Sequence, residues 1–124
     1  MVSEALAFRR TMQIEEVIQA TPEVHEALAR LLPQLNAQLP IPTIERLQAI
    51  MADPASTLLV ARDGEEIVGT TTLIVYTTPF WIKARLDEVV VDESARGKGV
   101  GTALVIADLA SWCKSVSYTA TGFA

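Results

Sequence analysis

Leu86 to Gly101 reads L-D-E-V-V-V-D-E-S-A-R-G-K-G-V-G. Three consecutive valines favour an extended strand, and Val100, Ala103, Leu104, Ala107 and Ala110 then recur at helical spacing. Between them stand three alternate glycines beside Arg96 and Lys98. A helix start offers unpaired N–H groups and the positive end of the helix dipole, and glycine lets an anion approach the backbone. The stretch therefore predicts a phosphate cradle between a strand and a helix. The Walker loop does not fit, because no Gly-Lys pair precedes Ser or Thr: Lys98 is followed by Gly99, and Thr102 comes too late. The dinucleotide fingerprint G-x-G-x-x-G also fails, since Gly97, Gly99 and Gly101 space the third glycine one residue early and no further βα units follow. What remains is R-x-x-G-x-G after an apolar strand.

Upstream, Thr11–Ala20 predicts a strand with an irregularity at Glu15-Glu16. Thr21 then suits an N-cap, Pro22 the first helical position and Glu23 the first turn. A helix should run to about Leu32, with Val24, Ala27, Leu28, Leu31 and Leu32 on one stripe. Gln34 to Pro42 reads as an extended connection, and Thr43 to Met51 as a second short helix. Asp63-Gly64 between Ser56–Arg62 and Glu65–Tyr76 predicts a β-hairpin, with Gly69 marking a bulge or a close backbone approach. A loop with exposed Phe80-Trp81 leads to the strand Arg85–Val91, and the last helix covers Val100 to about Lys114. The order is β-α-α-β-β-β-α without internal repeats.

The 124 residues predict one domain, with residues 1–10 a mobile arm and residues 115–124 an atypical tail. A net charge of −5 leaves no basic surface for nucleic acid. No apolar run reaches the roughly 18 residues of a membrane span. The single Cys113 cannot close an intramolecular disulfide and no leader pattern opens the chain, so a soluble, cytoplasmic protein is expected. His25 has no second His or Cys in a ligand pattern, so no metal site is expected; Cys113 beside Trp112 reads as packing.

Arg96, Gly99 and Gly101 match the [QR]-x-x-G-x-[GA] signature of the GNAT acetyltransferase superfamily, and the element order, the Asp-Gly hairpin and the whole Leu86–Gly101 stretch also resemble that family from Met12 to about Lys114. The resemblance implies an α/β (α+β) fold with a mixed, mainly antiparallel sheet and flanking helices. It also implies acetyl-CoA as co-substrate and an N-acetyltransferase acting on a primary amine of a small molecule or protein. Backbone N–H groups over Arg96, Gly97, Lys98, Gly99, Val100, Gly101 and Thr102 would receive the pyrophosphate. Val89, Val90 and Val91 would carry the pantetheine arm as a pseudo-strand.

Acetylating an amine needs a proton acceptor, an oxyanion donor and an acid for the departing thiolate. Asp87 and Glu88 are the candidate bases, and strand alternation places them on opposite faces, so one of them serves; Glu88 is preferred. The resemblance assigns the oxyanion donor to the backbone N–H near Val89. The family's acid is a tyrosine in Y-x-x-x-G-F, a spacing kept by Tyr118, Gly122 and Phe123. Only ten residues follow Lys114, so a C-terminally shortened fold is expected. An exposed fourth-strand edge predicts a homodimer. The alternative is a catalytically silent acyl-CoA-binding or oligomerising module. The connection over 34–42 and the loop over 77–83, with Phe80 and Trp81, are the candidate walls of the amine pocket.

Overall fold

In a computed structural model of the chain, residues 12–115 are described. The expected arm over 1–10 and Tyr118 lie outside the described residues. Local chemistry accounts for most element starts. Thr21 Oγ1 accepts from Val24 N–H at 3.2 Å and opens helix α1 (Pro22–Leu31). Thr43 does the same for Arg46 at 3.1 Å, opening α2 (Ile44–Ala52). Strand β1 (Met12–Glu16) precedes α1, and β2 (Ser56–Asp63), β3 (Glu66–Thr77) and β4 (Ile82–Val91) follow α2. The last helix, α3, spans Val100–Ser115.

The four strands form one antiparallel sheet in the order β1-β2-β3-β4. β2 is buried on both faces, which is why its sequence is almost continuously apolar rather than alternating. Leu58 and Val60 face α1 and α2, where they meet Val24, Leu28, Leu31 and Leu47. Leu59 and Ala61 face α3 and pack with Val68, Val100 and Leu104. Leu31, Leu47 and Leu104 are fully enclosed, and each contributes about 1.5–3 kcal/mol by leaving water. Gly69 lets α3 sit this close: a Cβ there would stand 3.0 Å from Val100 Cγ1 and 3.1 Å from Leu104 Cδ1. The approach comes mainly from α3 side chains rather than from another backbone. A register shift beside it, between Ala61 and Arg62, supplies the bulge as well.

Several boundaries differ from expectation. β1 stops at Glu16 and its pairing is regular through Glu15-Glu16, with Val17 adding one bond to Leu58 O at 2.8 Å. The connection after α1 is not extended at first. It begins with a 3₁₀ turn (Leu32–Gln34), after which Asn36 Oδ1 caps Gln38 N–H at 3.0 Å. The hairpin turn is shifted by one residue: Asp63 pairs with Glu66, and Gly64 alone of the two turn residues has positive φ (62°), the pattern of a type II′ turn. β4 starts at Ile82 because Thr78 and Trp81 close a tight turn, Thr78 N–H bonding Trp81 O at 2.8 Å. Ala110 is exposed on α3 rather than on its inner face. No helix among the described residues is long and apolar enough to cross a membrane.

Candidate functional site

β4 does not pair evenly with β3. Thr70 opposes Val90 and Thr72 opposes Asp87, so Glu88 and Val89 together face the single residue Thr71. This is a β-bulge, and Glu88 takes it up with φ 55°, the only positive φ outside glycine among the described residues. The bulge interrupts the regular alternation on which the placing of Asp87 and Glu88 on opposite faces relied. Asp87 lies across from Thr72 in the ladder, and both Thr72 and Glu88 line one cavity on the α1–α2 face. The two carboxylates nevertheless differ in company. Asp87 is half-buried and accepts from Arg85 Nε at 3.0 Å, whereas Glu88 is exposed in the cavity lining.

The cavity measures about 210 Å³. Leu28 and Leu32 of α1, Leu39 and Ile41 of the connection and Leu47 of α2 form its walls, and Leu58, Thr70 and Thr72 its floor on the sheet. Among the described lining residues Glu88 is the only acid and Arg46 the only base. Thr70 directs its hydroxyl to Leu59 O at 3.0 Å, which satisfies the buried oxygen within the sheet. His25 Nε2–H donates to Pro42 O at 2.8 Å and fastens the far end of the connection to α1. His25 therefore has a structural partner. The 34–42 connection lines this cavity and the 77–83 loop lies outside its lining; Phe80 is 87% exposed.

Directly after β4, Asp92 organises the glycine segment. Its N–H bonds Val68 O at 2.7 Å, its Oδ1 accepts from Ser94 N–H at 3.2 Å, and its Oδ2 pairs with Arg30 of α1. Arg30 also donates to Ile67 O at 2.6 Å, and Gln34 Oε1 accepts from Glu93 N–H at 3.0 Å. A 3₁₀ turn (Glu93–Ala95) follows, and the Arg96 N–H is turned into it, toward Glu93 O at 3.4 Å. Arg96 Nε bonds Val91 O at 3.1 Å and ties the loop to the strand end. Gly97 and Gly99 have φ of 81° and 84°, and a Cβ on either would meet nothing within 4 Å. Their need for glycine is thus conformational, and the space beside them is open. The helix's first internal bond runs from Ala103 N–H to Gly99 O at 3.0 Å, so the N–H groups of Val100, Gly101 and Thr102 have no partner within the helix.

These placements separate backbone from side-chain roles. Val90 and Val100 are buried in opposite clusters, Val91 packs against the α3 side, and Val89 is 37% exposed. Main chain is therefore what Val90, Val91 and Val100 have on offer, with the Val89 side chain exposed beside it. β4 pairs on one side, with β3, among the described strands. An open turn of glycines, a helix start and an unpaired bulged strand edge together fit a ligand with a phosphate end and an amide-bearing arm. The α1 and α2 walls of the cavity, Arg46 and the Arg30–Asp92 pair were not legible in the sequence, because these residues lie far apart in the chain and carry no motif. Among the described residues no group of three His, Cys, Asp or Glu side chains is placed to hold a metal ion.

A model of the acetyltransferase (GNAT) family matches residues 21–121. No curated protein matches the chain by sequence. Solved structures match in fold. An aminoglycoside acetyltransferase from an uncultured soil metagenomic sample aligns with TM-score 0.79 at 20% identity, over 94% of this chain and 79% of its own. Glucosamine-6-phosphate N-acetyltransferase from Arabidopsis thaliana gives 0.74 at 21% identity, covering 92% and 82%. Ribosomal-protein-alanine N-acetyltransferase from Brucella melitensis biovar Abortus 2308 gives 0.71 at 22%, covering 88% and 76%.

Proposed function

Because the chain belongs to the GNAT acetyltransferase family, we propose that it is an N-acetyltransferase that moves the acetyl group of acetyl-CoA to a primary amine. The observation that carries this reading is the Glu88 bulge. It sets one carboxylate in a cavity lining on the same strand whose end, at Val91, leads through the Glu93–Ala95 turn into the glycine cradle. Acetyl-CoA, when bound, supplies a thioester whose C–S bond is exchanged for a C–N bond, the coenzyme leaving as the free thiol.

The chain's own groups do the rest. N–H groups from Gly97 to Thr102 hold the pyrophosphate, and the main chain of Val89–Val91 holds the pantetheine amides. Glu88 receives the ammonium form of the acceptor and takes its proton, directly or through a water. Asp87, already paired with Arg85, is the weaker candidate for that role. The Val89 N–H is the oxyanion donor and Tyr118 the acid for the thiolate. The proposal includes a single cytoplasmic domain over residues 1–124 that is a homodimer in the absence of coenzyme.

Titrating acetyl-CoA by calorimetry and then measuring thiol release against a panel of amines tests the reading. Binding with turnover is the expected result. Binding without turnover of any amine favours the silent acyl-CoA module, and no binding overturns both.

A further inference from the structure

Resting on that reading, we infer that the acceptor is a small amine carrying one positive charge on an apolar body, such as an arylalkylamine or a branched alkylamine, rather than a polyamine or aminosugar. The lining is dominated by aliphatic side chains: Leu28, Leu32, Leu39, Ile41 and Leu47 surround the space above the sheet. Burying apolar surface is what such walls reward, and a hydroxyl-rich or polycationic ligand would leave its polar groups unpaired against them.

Charge complementarity points the same way. Glu88 is the only acid of the described lining, so it matches one ammonium group. Arg46, the only base there, repels a second cation. The acidic side chains Glu23, Glu26, Glu65 and Glu66 gather around a different depression, between α1 and the β2–β3 turn, so they do nothing to draw a polycation into this cavity. Of the neutral polar side chains in the lining, Thr70 directs its hydroxyl to Leu59 O and Asn36 Oδ1 accepts from Gln38 N–H, which leaves Thr72 as the one hydroxyl for a polar acceptor to recruit.

Size sets the scale. The cavity holds about 210 Å³, below the ~300–1,000 Å³ of pockets for drug-sized ligands. That is room for a small molecule and not for the rings of an aminosugar oligomer. Leu35, Leu39 and Ile41 remain largely exposed along the connection although they line the cavity. An apolar acceptor would cover them.

The test compares phenethylamine and isoamylamine with spermidine, an aminoglycoside and a peptide with N-terminal leucine, by thiol release on the full chain with acetyl-CoA. In parallel, phenethylamine is titrated by NMR onto the protein without coenzyme. The expected kcat/KM for phenethylamine exceeds that for spermidine by at least about ten-fold. The surface substitution Leu39→Glu should raise the phenethylamine KM by about ten-fold or more, the scale of a lost apolar contact, with melting behaviour unchanged. Preference for spermidine, the aminoglycoside or the peptide, with acetyl-CoA bound normally, overturns the inference and leaves the acetyltransferase reading standing. If acetyl-CoA does not bind, that reading falls, and the NMR titration decides the inference. Phenethylamine binding that both Leu39→Glu and Glu88→Gln weaken upholds it, and absence of binding overturns it.

Discussion

Glu88 holds a left-handed backbone conformation that costs a non-glycine residue roughly 1–2 kcal/mol. Glycine would take that conformation without the cost, which makes Glu88 the residue to test. Replacing Glu88 with Gln keeps size and removes the proton acceptor. The expected outcome is a fall in kcat of about 100- to 10,000-fold, the usual worth of a positioned base, with acetyl-CoA affinity unchanged in calorimetry; equal activity would remove Glu88 from the mechanism. Gly99 presents the opposite case. Its φ of 84° strains any side chain although the space around it is open, and a β-branched residue is worst there. Gly99→Val should therefore weaken acetyl-CoA binding by at least about ten-fold, whereas Thr102→Val, which keeps the helical backbone N–H, should change it little.

At the level of elements, the sequence announced what short-range chemistry decides. The Thr21-Pro22-Glu23 cap appears as read, and the glycine turn lies within one residue of Asp63-Gly64. The strand-loop-helix at Leu86–Gly101 was legible because valines, glycines and the helical stripe each carry their own conformational preference. The bulge was not, since Glu is neither a turn former nor a left-handed residue and nothing in D-E-V-V-V distinguishes a bulged strand from a straight one. Nor was the cavity, whose walls come from residues as distant as Leu28 and Glu88. Gly69 joins these levels. With α3 side chains 3.0 and 3.1 Å from its absent Cβ and Val90 O at 3.3 Å, Gly69→Val overpacks the α3 interface. A loss of about 1–3 kcal/mol in urea unfolding is expected, together with weaker acetyl-CoA binding, because α3 carries the cradle.

A second link between elements is electrostatic. Arg62 of β2 bonds Glu15 of β1 at 2.9 Å and both carboxylate oxygens of Glu23 in α1, and it reaches Glu65 O at 3.1 Å. The hydrogen bond from Arg62 holds the Glu23 carboxyl below its ordinary value of 4.5. A carboxylate whose folded pKa is depressed contributes stability above 4.5 and loses it as pH falls through the lower folded value. Melting temperatures taken from neutral pH downward should thus decline below about pH 4.5. Glu23→Gln should be less stable at neutral pH and should show a shallower acid decline; an unchanged slope would exclude the pair as a contributor.

Across the whole molecule, the sheet ends at β4 among the described strands, and the same edge is asked to do two things. The N–H and C=O groups that Val89 to Val91 turn away from β3, apart from Val91 O, which accepts from Arg96 Nε, are the donors and acceptors proposed for the pantetheine arm. An apolar unpaired edge is also where a second chain would add its own strand. One set of backbone groups cannot serve both partners at once, so coenzyme binding and edge-to-edge association are linked with opposite sign. Sedimentation of the full chain without ligand should give the mass of two chains, shifting toward one chain as acetyl-CoA saturates. A dimer whose mass holds constant at saturating acetyl-CoA would show that association uses another surface. A single-chain mass throughout would leave the β4 edge to the coenzyme alone.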